Sequence, residues 1–343
     1  MKKNILLFAG IVTVVLTVFE FSLRLAGFHP VNVDFQPVVY SSGLGWALKE
    51  NYRAVCKDLE WEFPFQTNSA GFRDRDHAFE KDPALQRILV LGDSFTEGYG
   101  MRNENRWASL LEKKNNKSEV INLGVRGYDI LQEYKLFLKT GLSYHPDFVI
   151  QLLNETDYDQ TPASSNLDVT RRFRPPYRLE ENRLMLLDGA PKDYPVLKSF
   201  PGRFKTLLYH SAAVVWLRRR LEKSNQGRSL LTELEQRTGF RKVRPQDMAV
   251  SDYERHYPEA VSKVYEGLAA LAADHRFRML VVWAGQGAAP AGLRQRVQKS
   301  GALEWMEIIL PSSLRFRYDP HPNLEGNRLI AERIFRQLKQ INP

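Results

Sequence analysis

A single cysteine, Cys56, in 343 residues excludes an intramolecular disulfide, and no Cys/His spacing suits a structural zinc. Acidic residues are outnumbered, 40 Asp and Glu against 49 Lys and Arg, and the net charge of +9 admits nucleic acid, an anionic membrane surface or an acidic polymer as partners. Neither a zinc finger nor an RNA-binding aromatic motif accompanies the basic clusters at Arg171, Arg172 and Arg174, at Arg218, Arg219, Arg220 and Lys223, and at Arg237, Arg241, Lys242 and Arg244. No nucleic-acid partner is therefore expected, and these clusters read as solvated faces or as contacts to anionic lipid or polysaccharide. Internal repeats and low-complexity tracts are also missing. With 43% apolar and 26% charged residues, what remains is an ordinary globular chain long enough for one large or two medium domains.

Only one hydrophobic run is long. Ile5 to Phe19 is uncharged behind Lys2 and Lys3, and Phe21, Leu23, Leu25, Ala26 and Phe28 extend it past Glu20 and Arg24. The run approaches the roughly 20 residues of a spanning helix only if Glu20 and Arg24 lie at an interface. Leu25-Ala26-Gly27 is a poor cleavage site, so residues 1–28 read as an uncleaved signal anchor, a transmembrane helix, ahead of a cleaved signal peptide or a buried helix. The two lysines would keep the N-terminus cytoplasmic and set the body on the extracytoplasmic side, periplasmic or extracellular.

Residues 29–84 are a lead-in rich in Pro, Gly and aromatics. From residue 85 to 343 short apolar runs alternate with helical periodicity. Strands are expected at Arg87–Gly92, Glu119–Leu123, Asp147–Leu153, Phe277–Trp283 and Met306–Leu310, with helices around Trp107–Leu111, Ile130–Leu142, Tyr253–Asp274, Leu293–Ser300 and Leu324–Leu338. This rhythm predicts an α/β domain with a parallel sheet covered on both faces and its ligand site at the strands' C-terminal ends. Residues 159–251 break the rhythm and read as an insertion, with a basic amphipathic segment at Phe204–Leu221.

Gly92-Asp93-Ser94-Phe95-Thr96-Glu97-Gly98 follows the first sheet strand, where a side chain faces a crevice. A serine needs a base, an orienting acid and oxyanion donors before it is a nucleophile. Among seven histidines, His321 in Tyr318-Asp319-Pro320-His321-Pro322-Asn323 is the best placed base, with Asp319 as a candidate orienter. His29, His77, His145, His210, His256 and His275 lack a comparable carboxylate in a Pro-bounded loop.

The Gly-Asp-Ser segment, then Asn122-Leu123-Gly124-Val125-Arg126-Gly127-Tyr128, then Asn154, then Asp319-Pro320-His321-Pro322-Asn323, follow the order of the four blocks of the SGNH (GDSL) hydrolase superfamily. The chain resembles that family from about Asn68 to Leu338, the insertion excepted. The resemblance implies a flavodoxin-like three-layer α/β/α sandwich and ester hydrolysis or acyl transfer by a serine, with no metal and no cofactor. It places the nucleophile on Ser94, the oxyanion donors on Ser94, Gly127 and Asn154, the base on His321 and its orienter on Asp319. The family's pattern has Asp three residues before His, and Asp319 is two before, so a Ser94–His321 dyad stands beside the triad. Three readings follow. The first is a membrane-tethered esterase removing an acyl group, foremost acetyl, from an envelope glycan, a lipid or another acylated small molecule. The others are a polysaccharide O-acyltransferase using the same acyl-serine, and a non-catalytic glycan-binding module.

Overall fold

A computed structural model describes residues 2–28, 35, 37–158, 177–181, 183–188, 211–222, 224, 226–227, 229–231, 233 and 250–341, the side chains of 2–7, 9, 222 and 250–255 excepted. Most of the expected insertion, with its arginines at 171–174 and 237–244, and also His29 and His210, lies outside the described residues. The chain divides into two compact units. One gathers residues 1–36, 54–64 and 197–244, and the other 37–53, 65–196 and 245–343.

The second unit is built on five parallel strands: β5 (Gln86–Gly92), β6 (Ser118–Asn122), β7 (Phe148–Leu153), β10 (Arg278–Gly285) and β11 (Glu304–Ile309). Every residue of β7 is buried, as are all but the first of β5, which is what a sheet covered on both faces demands of its central strands. The strand order is β11-β10-β7-β5-β6. The sheet thus grows one way from β5 to β6 and the other way from β5 through β7, and this reversal opens a crevice at the C-terminal ends of β5 and β7.

Helices α3 (Trp107–Lys114) and α8 (Leu324–Ile341) cover one face, where Trp107, Leu111, Ile330 and Ile334 pack on Ile88, Val90, Ile150 and Leu280. The other helices of this unit are α2 (Ser94–Glu97), α4 (Ile130–Lys139), α6 (Val250–His275) and α7 (Ala291–Gln298), of which α6 packs on both α4 and α7. Asp129 and Gln132 form a reciprocal capping box that sets the start of α4. Outside the sheet, antiparallel hairpins pair β1 (Val38–Ser41) with β2 (Gly45–Leu48) and β8 (Tyr177–Glu180) with β9 (Arg183–Leu186), while β3 (Arg53–Asp58) and β4 (Trp61–Gln66) form a two-stranded sheet whose residues 54–64 belong to the first unit.

In the first unit, α1 (Lys2–Leu25) and α5 (Ala212–Glu222) are the principal helices. The transmembrane helix expected over residues 1–28 is not found, because among the described residues no helix is long and apolar enough to cross a membrane. Its uncharged run ends at Glu20, which is put to structural use. The Glu20 carboxylate accepts the N–H groups of Ala212 and Ala213 at 3.0 and 2.9 Å and so caps α5, while Arg24 pairs with it at 2.7 Å. Phe19 meets the edge of Trp216 at 5.6 Å.

One buried acid on α4 has a consequence for stability. Glu133 Oε2 accepts from Gln151 Nε2 at 2.8 Å, and burial pushes the carboxyl well above its usual range, further than this hydrogen bond offsets. A carboxyl raised in the folded state costs stability as pH climbs above its unfolded value, near 4.3, toward the folded one. Glu133→Gln removes that loss, so urea unfolding should show a more stable protein at pH 7.5 and little change at pH 4. A variant no more stable than the parent at pH 7.5 would mean that Glu133 is ionised in the fold.

Candidate active site

Ser94 opens α2 directly after β5. The turn between them is tight: Gly92 has φ +151°, and a Cβ there would meet Thr96 Oγ1 at 2.2 Å and the Leu152 carbonyl at 2.8 Å. Asp93 caps α2 by accepting the Phe95 N–H at 2.8 Å, which leaves Ser94 half-buried at the mouth of the crevice.

His321 reaches this serine from 227 residues away, with Nε2 at 2.7 Å from Ser94 Oγ. On the other side of the ring, Nδ1 makes a close hydrogen bond to Asp319 Oδ1, and the same oxygen accepts the backbone N–H of His321 at 2.9 Å. The two-residue spacing suffices because the carboxylate folds back onto its own loop. That loop is tied down throughout. Arg315 donates to the carbonyls of Leu310 and Pro320 at 3.2 and 3.0 Å, Phe316 N–H to that of His321 at 3.1 Å, and Asn323 Nδ2 to those of Ser313 and Arg315, both at 3.0 Å. The imidazole lies between Tyr99 and Phe95, with ring centroids 4.4 and 5.3 Å away.

Asn154 follows β7 and is buried. Its Nδ2 donates to Asp93 Oδ1 at 3.0 Å and carries a second hydrogen, while its Oδ1 accepts from both the N–H and the hydroxyl of Thr156 at 2.8 Å. The residue thus closes a local turn and ties it to Asp93. Asp93 is the link to the serine, since its Oδ2 lies 3.2 Å from Ser94 Oγ and 3.0 Å from Thr156 Oγ1. Gly127 sits on the loop after β6, which is tied to α2 by Asn122 Nδ2 on the Thr96 carbonyl at 2.7 Å and to the end of β5 by Val125 N–H on the Gly92 carbonyl at 3.1 Å. Neither Ser94 N–H nor Gly127 N–H donates to an acceptor among the described residues. Two unengaged backbone donors and an amide with a hydrogen to spare are what a developing oxyanion requires.

Several supporting residues carried little signal in the sequence. Glu97, fully buried, holds Arg126 through Nε at 2.7 Å, a second close contact at Nη2, and the Arg126 N–H at 3.0 Å. Burial pushes the Glu97 carboxyl up, but the Arg126 guanidinium more than reverses this and holds it below the usual range. Arg73, from the lead-in, donates to the carbonyls of Gly98 and Met101 and so braces the end of α2. Glu155, directly after Asn154, accepts the Gln286 N–H at 2.5 Å with Arg315 Nη2 3.5 Å away. His77 is buried between Asp74 and Glu119, at 3.2 and 2.7 Å, in a structural cluster. Among the described residues no group of acids, histidines and cysteine has the arrangement of a metal site.

Neither a family model nor a curated protein matches this chain. Solved structures do. A G-D-S-L-family chain from Desulfitobacterium hafniense DCB-2 is 13% identical over 73% of this chain and 98% of its own, with a TM-score of 0.36. A psychrotrophic esterase from Pseudoalteromonas sp. is 13% identical over 74% of this chain and 97% of its own, at 0.39. A two-domain esterase active on acetylated mannans is 14% identical, at 0.41, and 75% of this chain spans half of that protein's length. These neighbours are esterases and lipolytic proteins, and at such identity the likeness concerns the fold alone.

The Glu97–Arg126 pair can be tested as a unit. Glu97→Met leaves a guanidinium buried without its partner and should cost about 3–5 kcal/mol of unfolding free energy. Adding Arg126→Met should recover part of that loss rather than deepen it. A double variant as unstable as the sum of the single ones would show that the two charges do not act together.

Proposed function

We propose that this chain is a serine hydrolase of carboxylic esters that works through an acyl-Ser94 intermediate. The observation that carries the reading is the contact of His321 Nε2 with Ser94 Oγ at 2.7 Å while Nδ1 is held by Asp319. The serine has one proton to give, and giving it to Nε2 rather than to Asp93 frees the Oγ lone pair for the ester carbon. As the C–O bond forms, the carbonyl electron pair moves onto oxygen, where Ser94 N–H, Gly127 N–H and Asn154 Nδ2 stabilise it. Collapse of the tetrahedral species expels the alcohol, which takes the proton from His321. Water then attacks the acyl-enzyme with the same histidine as base, releasing the acid and restoring Ser94. Asp319 keeps the imidazole in the tautomer that accepts at Nε2 and stabilises the imidazolium between the two transfers.

The substrate class in this reading is an acyl ester, foremost an acetyl ester, on a cell-envelope glycan or lipid. The reading includes a place at a membrane with the body on the extracytoplasmic side. Supporting it, α1 exposes Phe8, Ile11, Val14, Val15, Val18 and Phe21. Exposed apolar side chains along a helix suit lipid better than water.

Three experiments bear on this. Ser94→Ala should abolish turnover of p-nitrophenyl acetate and labelling by a fluorophosphonate probe while the protein unfolds at the parent's temperature. Retention of more than a few per cent of activity would sink the assignment. Asp319→Asn should reduce the plateau of kcat/KM, because the imidazole loses the group that holds its Nδ1 side. An unchanged plateau would make the site a dyad. Val15→Asp should shift the protein from the membrane to the soluble fraction with kcat unchanged, since a charge on the exposed apolar surface of α1 opposes its contact with lipid. Undiminished membrane recovery would remove α1 from the reading.

A further inference from the structure

The peptide group joining Arg126 to Gly127 is gripped on one side and open on the other. Its carbonyl accepts the indole N–H of Trp46 at 3.0 Å, a buried hydrogen bond across 80 residues of sequence. Its N–H, on Gly127, meets no acceptor among the described residues. No peptide bond among the described residues is cis, and in a trans peptide C=O and N–H point in opposite directions. A group that fixes the carbonyl therefore aims the N–H.

Trp46 is itself fixed. It lies on β2, is 1% exposed, and meets the ring of Tyr128 edge-on at 5.3 Å. Tyr128 Oη donates back to the Trp46 carbonyl, and Gln132 Nε2 donates to the Leu44 carbonyl at 2.7 Å. The preceding peptide is held as well, since Arg126 N–H donates to Glu97 Oε2 at 3.0 Å. Two successive peptide planes are thus clamped from opposite partners, an acid on α2 and an indole on the β1–β2 hairpin. Gly127 follows them at φ +77°, a conformation that suits a residue without a side chain.

We propose that Trp46 is the positioning residue for the Gly127 oxyanion donor, an element of the site that lies outside all four sequence blocks. The inference rests on the reading of Ser94 as nucleophile and Gly127 as donor. Two effects combine. The indole hydrogen bond sets the orientation of the peptide plane, and by drawing electron density onto the carbonyl oxygen it makes the attached N–H a stronger donor. Without it the buried carbonyl lacks its partner, and the plane turns to find another.

The test is Trp46→Phe, which keeps an aromatic ring and removes the N–H, assayed on a soluble ester and with a trifluoromethyl ketone that Ser94 converts to a hemiketal oxyanion. The expected result is a fall in kcat of about tenfold, less than the full loss of one oxyanion donor, with KM within about twofold and the midpoint of the pH profile unmoved. Affinity for the ketone should drop by the same factor as kcat/KM. Tyr128→Phe removes the reverse hydrogen bond but leaves the Arg126 carbonyl held, so it should lower stability and keep kcat within about twofold. Benzothienylalanine at position 46, which has the shape of tryptophan with sulfur in place of N–H, should reproduce the tenfold loss even if the phenylalanine variant does not fold. Parental kcat with benzothienylalanine, or an equal loss in Tyr128→Phe, would overturn the proposal. Activity surviving in Ser94→Ala would instead overturn the reading beneath it, so the two failures are separable.

Discussion

The carboxylate of Asp93 joins the two strands between which the crevice opens. It is buried, it accepts the N–H of Phe95 and the amide of Asn154 at Oδ1, and its Oδ2 lies within reach of the Ser94 and Thr156 hydroxyl oxygens. Two of these groups follow β5 on α2 and two follow β7, so the separation of Ser94 from the Asn154 amide is set by one rigid group. Removing Asp93 would leave a hydroxyl and an amide each anchored by its own turn, with no common reference.

Charge around the histidine is arranged with equal economy. Tyr99 lies on the imidazole, and the Arg126 guanidinium lies 5.2 Å from the Tyr99 ring centroid and 5.3 Å from that of Phe65. Glu97 neutralises the guanidinium with paired contacts, so Arg126 braces the loop carrying Gly127 without leaving an unpaired positive charge near the His321 ring.

Much of this was legible in the sequence, for a physical reason. Buried parallel strands need continuous apolar runs, so β5, β7 and β10 announce themselves, and a residue at a strand's C-terminal end is easily placed. Ser94, Asn154 and His321 all lie near such ends or in the loop before α8. Trp46 was illegible because its role is to hold a carbonyl 80 residues away, and a hydrogen bond to backbone leaves no trace in composition or spacing. The reach of Asp319 was open for a related reason: whether a side chain folds back on its loop depends on the hydrogen bonds of Arg315 and Asn323, which no local pattern encodes. The helix over residues 1–28 was foreseen but its charged residues were misjudged. Glu20 and Arg24 looked like interfacial groups, and Glu20 serves instead as the cap of α5.

The docking of α8 bears on when this site comes into being. Asn327 on α8 accepts the N–H of Trp107, at the start of α3, at 3.0 Å, and the loop bearing His321 leads directly into that helix. Ser94, Asn154 and Gly127 belong to strands and loops that are complete some 170 residues earlier in the chain, as counted from Asn154 to Asn327. A chain emerging from the ribosome therefore carries Ser94, Gly127 and Asn154 long before His321. On the reading proposed above, an unfinished molecule is chemically silent, and the hydrolase switches on only when its closing helix settles against the sheet.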